Sequence, residues 1–377
     1  MKIVQVMTRP NVGGIATQVF GYCEGLTAAG HEVTLVTGRV GPHEADAFEV
    51  VGRPACRIEV LPDLGREVAV SDARAIVAMT RLLRQMRPDV VHTHAAKAGT
   101  VGRVAARLAG VPIRVHSFHG HVFRGYFSPM VSRVVAAIER GLGLMSSAVL
   151  VPGESQAVEI ADRYRIVPRR KIRVVPYGVP ISTGGPTRAA ARAHFGLTAS
   201  KVIGAVGRMA PIKNQDLLLD AFILLRAQPA GADTQLLIVG DGECRDGLEQ
   251  RVRAAGLADA VKLFRWEPDL AATYAAMDVL AISSRNEGMP VTALEAMAAG
   301  VPVASTAVGG VVDLVRPGET GWLVPADATP QQFADMLAGV LESPDVAAVA
   351  GRARTYIDTH HSFAAACAGL TRVYLED

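Results

Sequence analysis

The stretch RNEGMPVTALEAMAAGVPV, residues 285–303, decides the interpretation of the chain, because it is apolar enough for a protein core and yet contains two acids. It follows the apolar, strand-like run DVLAISS. Pro290 suits the first position of a helix and Gly300 suits the position after its end, so the pattern predicts a helix between them. Glu287 then lies in the strand-exit loop and Glu295 within the helix. With seven residues between them, both acids reach one ligand only if it lies over the helix start.

Strand-like and helix-like segments alternate outward from this stretch in both directions. The runs KVIGAVG, TQLLIVG and VPVAST in the second half, and KIVQVM and HEVTLVTG in the first, are continuously apolar. Such runs separated by helices predict parallel sheets covered on both faces. A Gly-, Pro- and Ser-rich segment after residue 179 has the composition of a linker. We therefore expect an α/β chain of two doubly wound, Rossmann-like domains, residues 1–180 and 181–359, that face a central cleft.

Composition excludes several classes of protein. The chain has 377 residues, 50% of them hydrophobic and 20% charged, and a formal net charge of +3. This charge is too small, and basic runs too few, to indicate nucleic-acid binding. The four cysteines form no CxxC motif, which argues against a zinc site or a disulfide framework and favours a cytoplasmic protein. The first residues do not have the pattern of a signal peptide, and no apolar run is long enough to span a membrane.

Ligands of doubly wound sheets bind at the carboxyl ends of the strands, so polar residues at strand ends are candidate site residues. In TRPNVGGIATQ, Gly13 and Gly14 follow the first strand and open a helix, where backbone amides can meet a phosphate. An ordinary tight turn explains these two glycines equally well. The spacing is not GxGxxG, so a dinucleotide fingerprint is absent.

A second candidate is AVGRMAPIKNQDLLL, in which Arg208 and Lys213 precede a predicted helix and Asn214 is its expected N-cap. Two cations at the positive end of a helix dipole are unfavourable unless an anion joins them, which favours a phosphate-binding role. Solvated surface cations are the alternative. For Glu295 the alternative is a salt bridge on an exposed helix, although its neighbours in sequence are apolar. Asp241 to Glu243 is interpreted as a turn and not as a cation site.

Histidines cluster in the first half. His92 and His94 end one strand on the same face, but no third metal ligand is evident, so a structural role is favoured over a metal site. In VHSFHGHVFRGYFSP, His119 ends the next strand and is expected to point into the cleft. A hydrogen-bonded loop histidine is the competing interpretation.

Together these motifs resemble the family 4 glycosyltransferases, which are retaining enzymes of the GT-B fold. The resemblance covers nearly the whole chain and is strongest over residues 201–325, in the blocks VGRMAPIKN, LLIVGDGECRDGLE, SSRNEGMPVTALEAMAAGVPVASTAVGGVVDLV and GETGWLVP. The first half matches through the Gly13–Gly14 loop and FHGH. The tail, residues 360–377, resembles the last helix of this fold, which packs back on the first domain.

The resemblance implies a role for each candidate residue. Arg208 and Lys213 would hold the donor diphosphate, and Gly13 and Gly14 would approach it from the other domain. His119 would lie beside the anomeric carbon. The acids and the loop between them would bind the rest of the donor: Glu287 at the transferred sugar, Glu295 at the ribose, and the backbone of Gly288, Met289, Pro290 and Val291 in the same region.

Two positions depart from the family pattern. Tyr177 occupies a position that usually holds Asn, and Met289 replaces a larger apolar or aromatic residue. The resemblance implies a nucleotide diphosphate sugar, expected to be UDP-linked, as donor, a hexosyl or N-acetylhexosaminyl group as the transferred sugar, and a carbohydrate, lipid-linked or small-molecule acceptor.

We expect the acceptor to belong to cell-surface polysaccharide or glycoconjugate assembly, with secondary-metabolite glycosylation as an alternative. Because Arg, Lys and helix amides can stabilise a leaving diphosphate, no metal or other cofactor is expected. A nucleotide-sugar epimerase and a non-catalytic binding module are the competing functions. The stretches VFRGYF and RYRIVPRRKIR suggest peripheral contact with the inner face of a membrane, and a solvated surface is their alternative interpretation.

Overall fold

The structure is a computed structural model that describes residues 1–41, 44–65, 71–120, 128–180, 184–267 and 270–376. It divides into two compact units, one formed by Met1–Val179 together with His361–Asp377 and the other by Pro180–His360. The loop segment VFRGYF, on which the membrane hypothesis drew, lies outside the described residues.

The first unit is built on a seven-stranded parallel sheet in the order β3-β2-β1-β4-β5-β6-β7. The strands are β1 Lys2–Val6, β2 Glu32–Thr37, β3 Arg57–Val60, β4 Val90–His94, β5 Ile113–Ser117, β6 Ala148–Val151 and β7 Ile172–Val174. Its helices are α1 Gly14–Ala28, α2 Ala47–Val50, α3 Ser71–Met86, α4 Ala96–Ala109, α5 Pro129–Leu144, α6 Glu154–Val158 and, from the chain's end, α15 Phe363–Glu376.

Helices cover both faces of this sheet. On one face α1 and α15 form an apolar core with β1, in which Leu26, Leu370 and Tyr374 are almost completely buried. On the other face α3 and α4 pack through residues such as Met79 and Val101. Burial on both faces explains why the strands are continuously apolar in the sequence.

The second unit repeats the architecture with a six-stranded parallel sheet in the order β10-β9-β8-β11-β12-β13. The strands are β8 Lys201–Val206, β9 Thr234–Val239, β10 Val261–Phe264, β11 Val279–Ile282, β12 Val303–Thr306 and β13 Trp322–Val324. Its helices are α7 Arg188–His194, α8 Gln215–Arg226, α9 Arg245–Ala254, α10 Ala271–Ala276, α11 Val291–Ala298, α12 Val311–Leu314, α13 Pro330–Glu342 and α14 Val346–His360.

In both sheets the strand order reverses direction next to the first strand of the unit, β1 or β8. The strands on either side of that point, β1 and β4 in one unit and β8 and β11 in the other, are parallel neighbours. Their carboxyl ends leave a crevice where ligands of doubly wound sheets bind. The predicted α/β fold of two doubly wound units is confirmed, and the two switch points are the expected ligand-binding positions.

Among the described helices, none combines the length and apolar character needed to cross a membrane.

Candidate active site

Glu287 lies in the loop after β11, at the switch point of the second sheet. Its carboxylate accepts two hydrogen bonds from Lys213 Nζ, at 2.7 Å to Oε1 and 2.9 Å to Oε2. The Ser284 hydroxyl donates a third, at 2.5 Å to Oε1. With 8% of its side chain exposed, Glu287 is an almost buried carboxylate whose charge is balanced by one lysine. Because parallel strands end at the same edge of a sheet, two residues 74 positions apart in sequence come together here.

Lys213 ends a short 3₁₀ turn, Pro211–Lys213, between β8 and α8. The Ser283 hydroxyl donates to its carbonyl at 3.1 Å, and the Arg285 amide donates to the Ile212 carbonyl at 2.8 Å. These bonds hold the exit loops of β8 and β11 together. The sequence indicated that Lys213 needs an anion nearby, and within this unit Glu287 is that anion. A diphosphate is thus not required to explain Lys213 by charge alone.

Arg208 differs from Lys213 in its surroundings. It is exposed, and its guanidinium makes no hydrogen bond or ion pair with any residue that the structure describes, while its carbonyl accepts a bond from Gln215 Nε2 at 3.1 Å. Its charge is therefore available to a ligand at the start of α8. The prediction that Asn214 caps α8 was wrong: the residue is in the left-handed conformation, φ 52°, and its side chain makes no capping bond.

A pocket opens between the exit loops of β8 and β11. Its lining includes Gly207, Lys213, Gln215, Ser284, Glu287 and Thr292. Polar and charged groups thus converge on one concave region at the switch point, which is the usual character of a ligand site in this architecture.

The loop that carries Glu287 rests on a pair of glycines that follow β12. A Cβ atom on Gly309 would lie 1.8 Å from the carbonyl oxygen of Glu287, and one on Gly310 would lie 2.0 Å from that of Gly288. The Gly310 amide also donates to the Gly288 carbonyl at 2.7 Å. Only glycine permits this close approach. These two glycines were not among the predicted site residues, although a Gly-Gly pair at a strand end is a recognisable sign of close backbone packing.

Helix α11 begins at Val291, one residue later than predicted, because Pro290 takes an extended conformation before it. No described side chain caps this helix, so its first amides face the site without a side-chain partner. Met289 and Pro290 are buried, and the Met289 side chain is only 5% exposed. This burial favours a packing role for the Met289 side chain.

Glu295 lies one turn into α11. Its Oε2 accepts a hydrogen bond from the hydroxyl of Tyr274, on α10, at 2.7 Å. Burial raises the pKa of Glu295 to about 7, although the bond from Tyr274 opposes the rise. The suggested alternative, a surface salt bridge, is wrong. The partner Tyr274 carried no local signal in the sequence, since it lies within the apolar run AATYAAM.

In the first unit, Gly13 precedes α1 with φ 152°, and Gly14 is the first residue of that helix. No described side chain caps α1. The arrangement suits both explanations raised by the sequence, a tight turn and a phosphate-facing helix start.

The histidines at the carboxyl ends of β4 and β5 form a connected cluster. His94 Nδ1 lies 2.8 Å from His119 Nε2, and His119 Nδ1 lies 2.6 Å from the Tyr177 hydroxyl. His92 contacts the hydroxyls of Tyr374 and Ser117 at 2.6 and 2.7 Å. His92 and His94 thus have hydrogen-bond partners within their own unit, as a structural role requires. No group of three or more His, Cys, Asp or Glu suited to a metal ion is present in the described ranges.

Burial determines the charge of this cluster. It lowers the pKa values of His92, His94 and His116 well below the ordinary range, and that of His119 to about 3. All four rings are consequently neutral near pH 7. His119 directs both ring nitrogens at neighbours in its own unit, a feature that sequence analysis did not predict.

The turn predicted at residues 241–243 is confirmed, and Asp241 is ion-paired with Arg265.

Two family models match the chain, one for each unit. A model described as a glycosyl transferase 4-like domain matches residues 13–178, and one described as glycosyl transferases group 1 matches residues 200–343. The second match contains every candidate residue of the second unit.

Similar proteins include two kinds of glycosyltransferase. The D-inositol 3-phosphate glycosyltransferase of Kineococcus radiotolerans is 33% identical, with 89% of this chain and 83% of that protein covered. The UDP-Gal:alpha-D-GlcNAc-diphosphoundecaprenol alpha-1,3-galactosyltransferase of Escherichia coli is 28% identical over 336 residues, covering 86% and 84%.

Solved structures with the same fold include the sucrose-phosphate synthase of Thermosynechococcus elongatus, with a TM-score of 0.84, 24% identity, and coverage of 100% of this chain and 98% of that one. Anabaena HepE, in complex with UDP-glucose, matches with a TM-score of 0.83, 20% identity and full coverage of both chains. At these identities the likeness concerns the fold.

Proposed function

The chain belongs to the group 1 glycosyltransferases of family 4, which have the GT-B fold, and we propose that it is a retaining enzyme that transfers a sugar from a UDP-linked donor to a hydroxyl acceptor. The observation that carries the proposal is the site at the β8–β11 switch point. There the Lys213–Glu287 pair and Thr292, in the first turn of α11, line one pocket. The guanidinium of Arg208, next in sequence to the lining residue Gly207, has no partner among the described residues, and no described side chain caps α11.

Each group has a physical task in this proposal. Arg208 and Lys213 stabilise the negative charge that develops on the departing diphosphate, as preorganised cations do in a site with little water. The Glu287 carboxylate, held by Lys213 and Ser284, accepts hydrogen bonds from hydroxyls of the transferred sugar. The amides at the start of α11, over Gly288 to Val291, interact with the same part of the donor.

The remaining candidates have separate tasks in this proposal. Glu295 accepts hydrogen bonds from the ribose through Oε1, because Tyr274 already binds Oε2. Gly13 and Gly14, at the start of α1, give the first unit a backbone surface that a phosphate can approach. His119 is proposed to lie beside the anomeric carbon of the transferred sugar. The chemistry assigned here uses charged side chains and amides, so we propose that no divalent metal or other cofactor is needed.

The name of the E. coli relative supports the choice of donor and acceptor. That protein is described as transferring galactose from UDP to a diphosphoundecaprenol-linked sugar. We propose by analogy a UDP-hexose or UDP-N-acetylhexosamine donor and a carbohydrate acceptor of surface polysaccharide or glycoconjugate assembly, carried on a lipid, for a protein that works in the cytoplasm.

A donor screen tests the proposal. Purified protein is incubated with a panel of nucleotide sugars and sugar acceptors, with and without a chelator, and released nucleotide diphosphate is measured. The anomeric configuration of the product is then read by NMR. We expect UDP release that requires an acceptor, survives the chelator and gives a product with the donor's anomeric configuration. Donor conversion without acceptor or UDP release would instead identify an epimerase.

The raised pKa of Glu295 gives a pH-dependent donor affinity. A ribose hydroxyl donates to the ionised carboxylate, and with a pKa of about 7 this form is scarce at pH 6 and predominant at pH 8. Affinity for the UDP-sugar donor should therefore rise with pH, by up to about 10-fold from pH 6 to 8, if only the ionised form binds. Calorimetric titration measures it. The dependence should vanish in Glu295→Gln and persist in Glu287→Gln; an unchanged slope in Glu295→Gln would contradict the assignment.

Helix α5 gives the proposed membrane contact a definite surface. Its exposed apolar residues Met130, Val134, Ile138 and Leu144 have exposed fractions of 76%, 55%, 53% and 82% and repeat with helical spacing, so they lie along one face. The only acid in the sequence of α5, Glu139, is buried in an ion pair with Arg103 at 2.6 Å. The exposed surface of this helix is consequently apolar and basic.

The basic segment RYRIVPRRKIR lies beside this face. The Arg140 side chain, on α5, donates to the carbonyls of Tyr164 and Arg165, at 2.8 and 3.1 Å. Lys171 donates to the carbonyls of Gly143 and Ser146, at the end of α5. An apolar stripe flanked by arginines and lysines suits a membrane surface that contains anionic lipid, and we propose that partner.

Flotation with liposomes tests this surface. The protein should float with vesicles containing phosphatidylglycerol at low salt, and less with purely zwitterionic vesicles or at high salt. Val134→Glu with Ile138→Glu should abolish flotation, whereas the control Leu375→Glu, which changes a 73% exposed leucine on α15, should not. Equal flotation of both variants, or self-association through α5 in place of flotation, would contradict the proposed contact.

A further inference from the structure

A chain of hydrogen-bonded side chains runs through the first unit, from the end of β7 to the end of β5. Six hydrogen bonds of 2.6–3.2 Å connect its members. In order, the members are Tyr177, His119, His94, Gln5, Tyr374, His92 and Ser117.

The amide of Gln5 sets the direction of this chain. Its Oε1 can only accept, so His94 Nε2 carries a proton and donates to it at 2.7 Å. Its Nε2 can only donate, so the Tyr374 hydroxyl accepts at 3.2 Å. In a neutral ring one nitrogen donates and the other accepts. His94 Nδ1 is consequently an acceptor, and the directions of the bonds to His119 and Tyr177 follow.

The direction determines the tautomer of His119. Since His94 Nδ1 accepts, His119 Nε2 carries the ring proton and donates to it. His119 Nδ1 then holds a lone pair, which accepts from the Tyr177 hydroxyl. The pKa of Tyr177 is raised well above its ordinary value by burial, so its hydroxyl keeps the proton that it donates.

We propose that Tyr177 is a positioning residue that holds His119 as a neutral Nε2–H imidazole, its orientation fixed by a one-way chain of hydrogen bonds that reaches helix α15. The proposal rests on the proposed function only in placing His119 beside the transferred sugar. Both ring nitrogens are engaged inside the unit, so His119 exchanges no proton with substrate. In the proposed site, His119 offers the sugar an uncharged ring with a fixed orientation, together with its backbone groups.

The tautomer can be measured without substrate. In protein labelled with ¹⁵N-histidine, the His119 resonances should be those of a protonated Nε2 and an unprotonated Nδ1, and should not change between pH 5 and 8. A protonated Nδ1, or a ring that titrates in this interval, would overturn the proposal.

Two variants break the chain at different points. Tyr177→Phe removes the donor to Nδ1 and should shift the His119 Nδ1 resonance toward that of a nitrogen without a hydrogen bond. Tyr374→Phe, on α15, removes the group that orients Gln5 and should give a mixture of His119 tautomers. The matched control is Tyr22→Phe, since Tyr22 is buried near His94 but its hydroxyl has no hydrogen bond to a described residue.

Activity provides the second readout. Tyr177→Phe should lower kcat about 10-fold, the usual effect of losing one hydrogen bond at a buried group, with the KM for donor unchanged. Tyr22→Phe should keep both constants. A Tyr177→Phe variant that matches Tyr22→Phe in kcat or in the His119 resonance would overturn the proposal. If the wild type transfers no sugar, the proposed function fails, while the NMR measurements still decide the tautomer and its dependence on Tyr177 and Tyr374.

Discussion

Replacing Lys213 by alanine should lower kcat/KM for sugar transfer by about 1000-fold, the upper range for removing one preorganised group that stabilises transition-state charge. The variant loses the cation proposed to meet the leaving diphosphate. It also leaves the Glu287 carboxylate, only 8% exposed, without the cation that balances its charge. Steady-state kinetics with the donor found in the screen measures the effect. Arg285→Ala is the control, because it removes an exposed cation from the loop that carries Glu287 and leaves the Lys213–Glu287 pair intact.

A double variant separates the two tasks of Lys213. If Lys213 served only to neutralise Glu287, the double variant Lys213→Ala with Glu287→Gln would be about as active as Glu287→Gln alone, because no uncompensated charge would remain. If Lys213 also stabilises the diphosphate, the double variant should stay at least about 100-fold below Glu287→Gln alone. Activity of Lys213→Ala within a factor of three of Arg285→Ala would contradict both tasks.

Gly309→Ala should lower transfer activity by about 100-fold, the loss expected when a reacting group is displaced by about 1 Å. The added Cβ would lie 1.8 Å from the Glu287 carbonyl oxygen, so the loop that carries Glu287 must move. We also expect a loss of about 2–4 kcal/mol in the free energy of unfolding, from overpacking and from the left-handed conformation of residue 309 together.

Gly300→Ala is the matched control for Gly309→Ala. Both glycines have positive φ, 75° at Gly300 and 47° at Gly309, but a Cβ on Gly300 would meet no atom within 4 Å. It should therefore cost only about 1–2 kcal/mol for backbone conformation and leave kcat nearly unchanged. Thermal unfolding and kinetics of both variants test the difference. Equal activity of the two would mean that the position of the Glu287 loop does not depend on the glycines beneath it.

The fold could be predicted from the sequence because its signals are local. Apolar runs such as those of β8 and β9 alternate with helical segments, and only a parallel sheet covered on both faces accommodates that pattern. The convergence of Lys213 and Glu287 was also accessible, because parallel strands end at the same edge of a sheet. What the sequence did not indicate was that these two residues bind each other.

The groups that hold the site residues could not be predicted in the same way. Tyr274 lies 21 residues from Glu295, and Gln5 lies 369 residues from Tyr374. Both tyrosines occur in apolar segments and have the pattern of ordinary core residues. Gln5 lies within an apolar strand, where a buried amide is unusual and could have been noticed. Its partners, however, depend on how helices from distant parts of the chain pack.

The position of α15 has a consequence for biosynthesis. Residues 361–377 belong to the unit that begins at Met1, and Tyr374 bonds Gln5 in its central region. The intervening unit, Pro180–His360, is contiguous in sequence. During translation it can fold as soon as residue 360 has left the ribosome, whereas the first unit must wait until residues 361–377 have followed. Until then β1 and α1 lack the helix that covers them, so nascent chains are most exposed to aggregation and chaperone binding on that face of the first sheet.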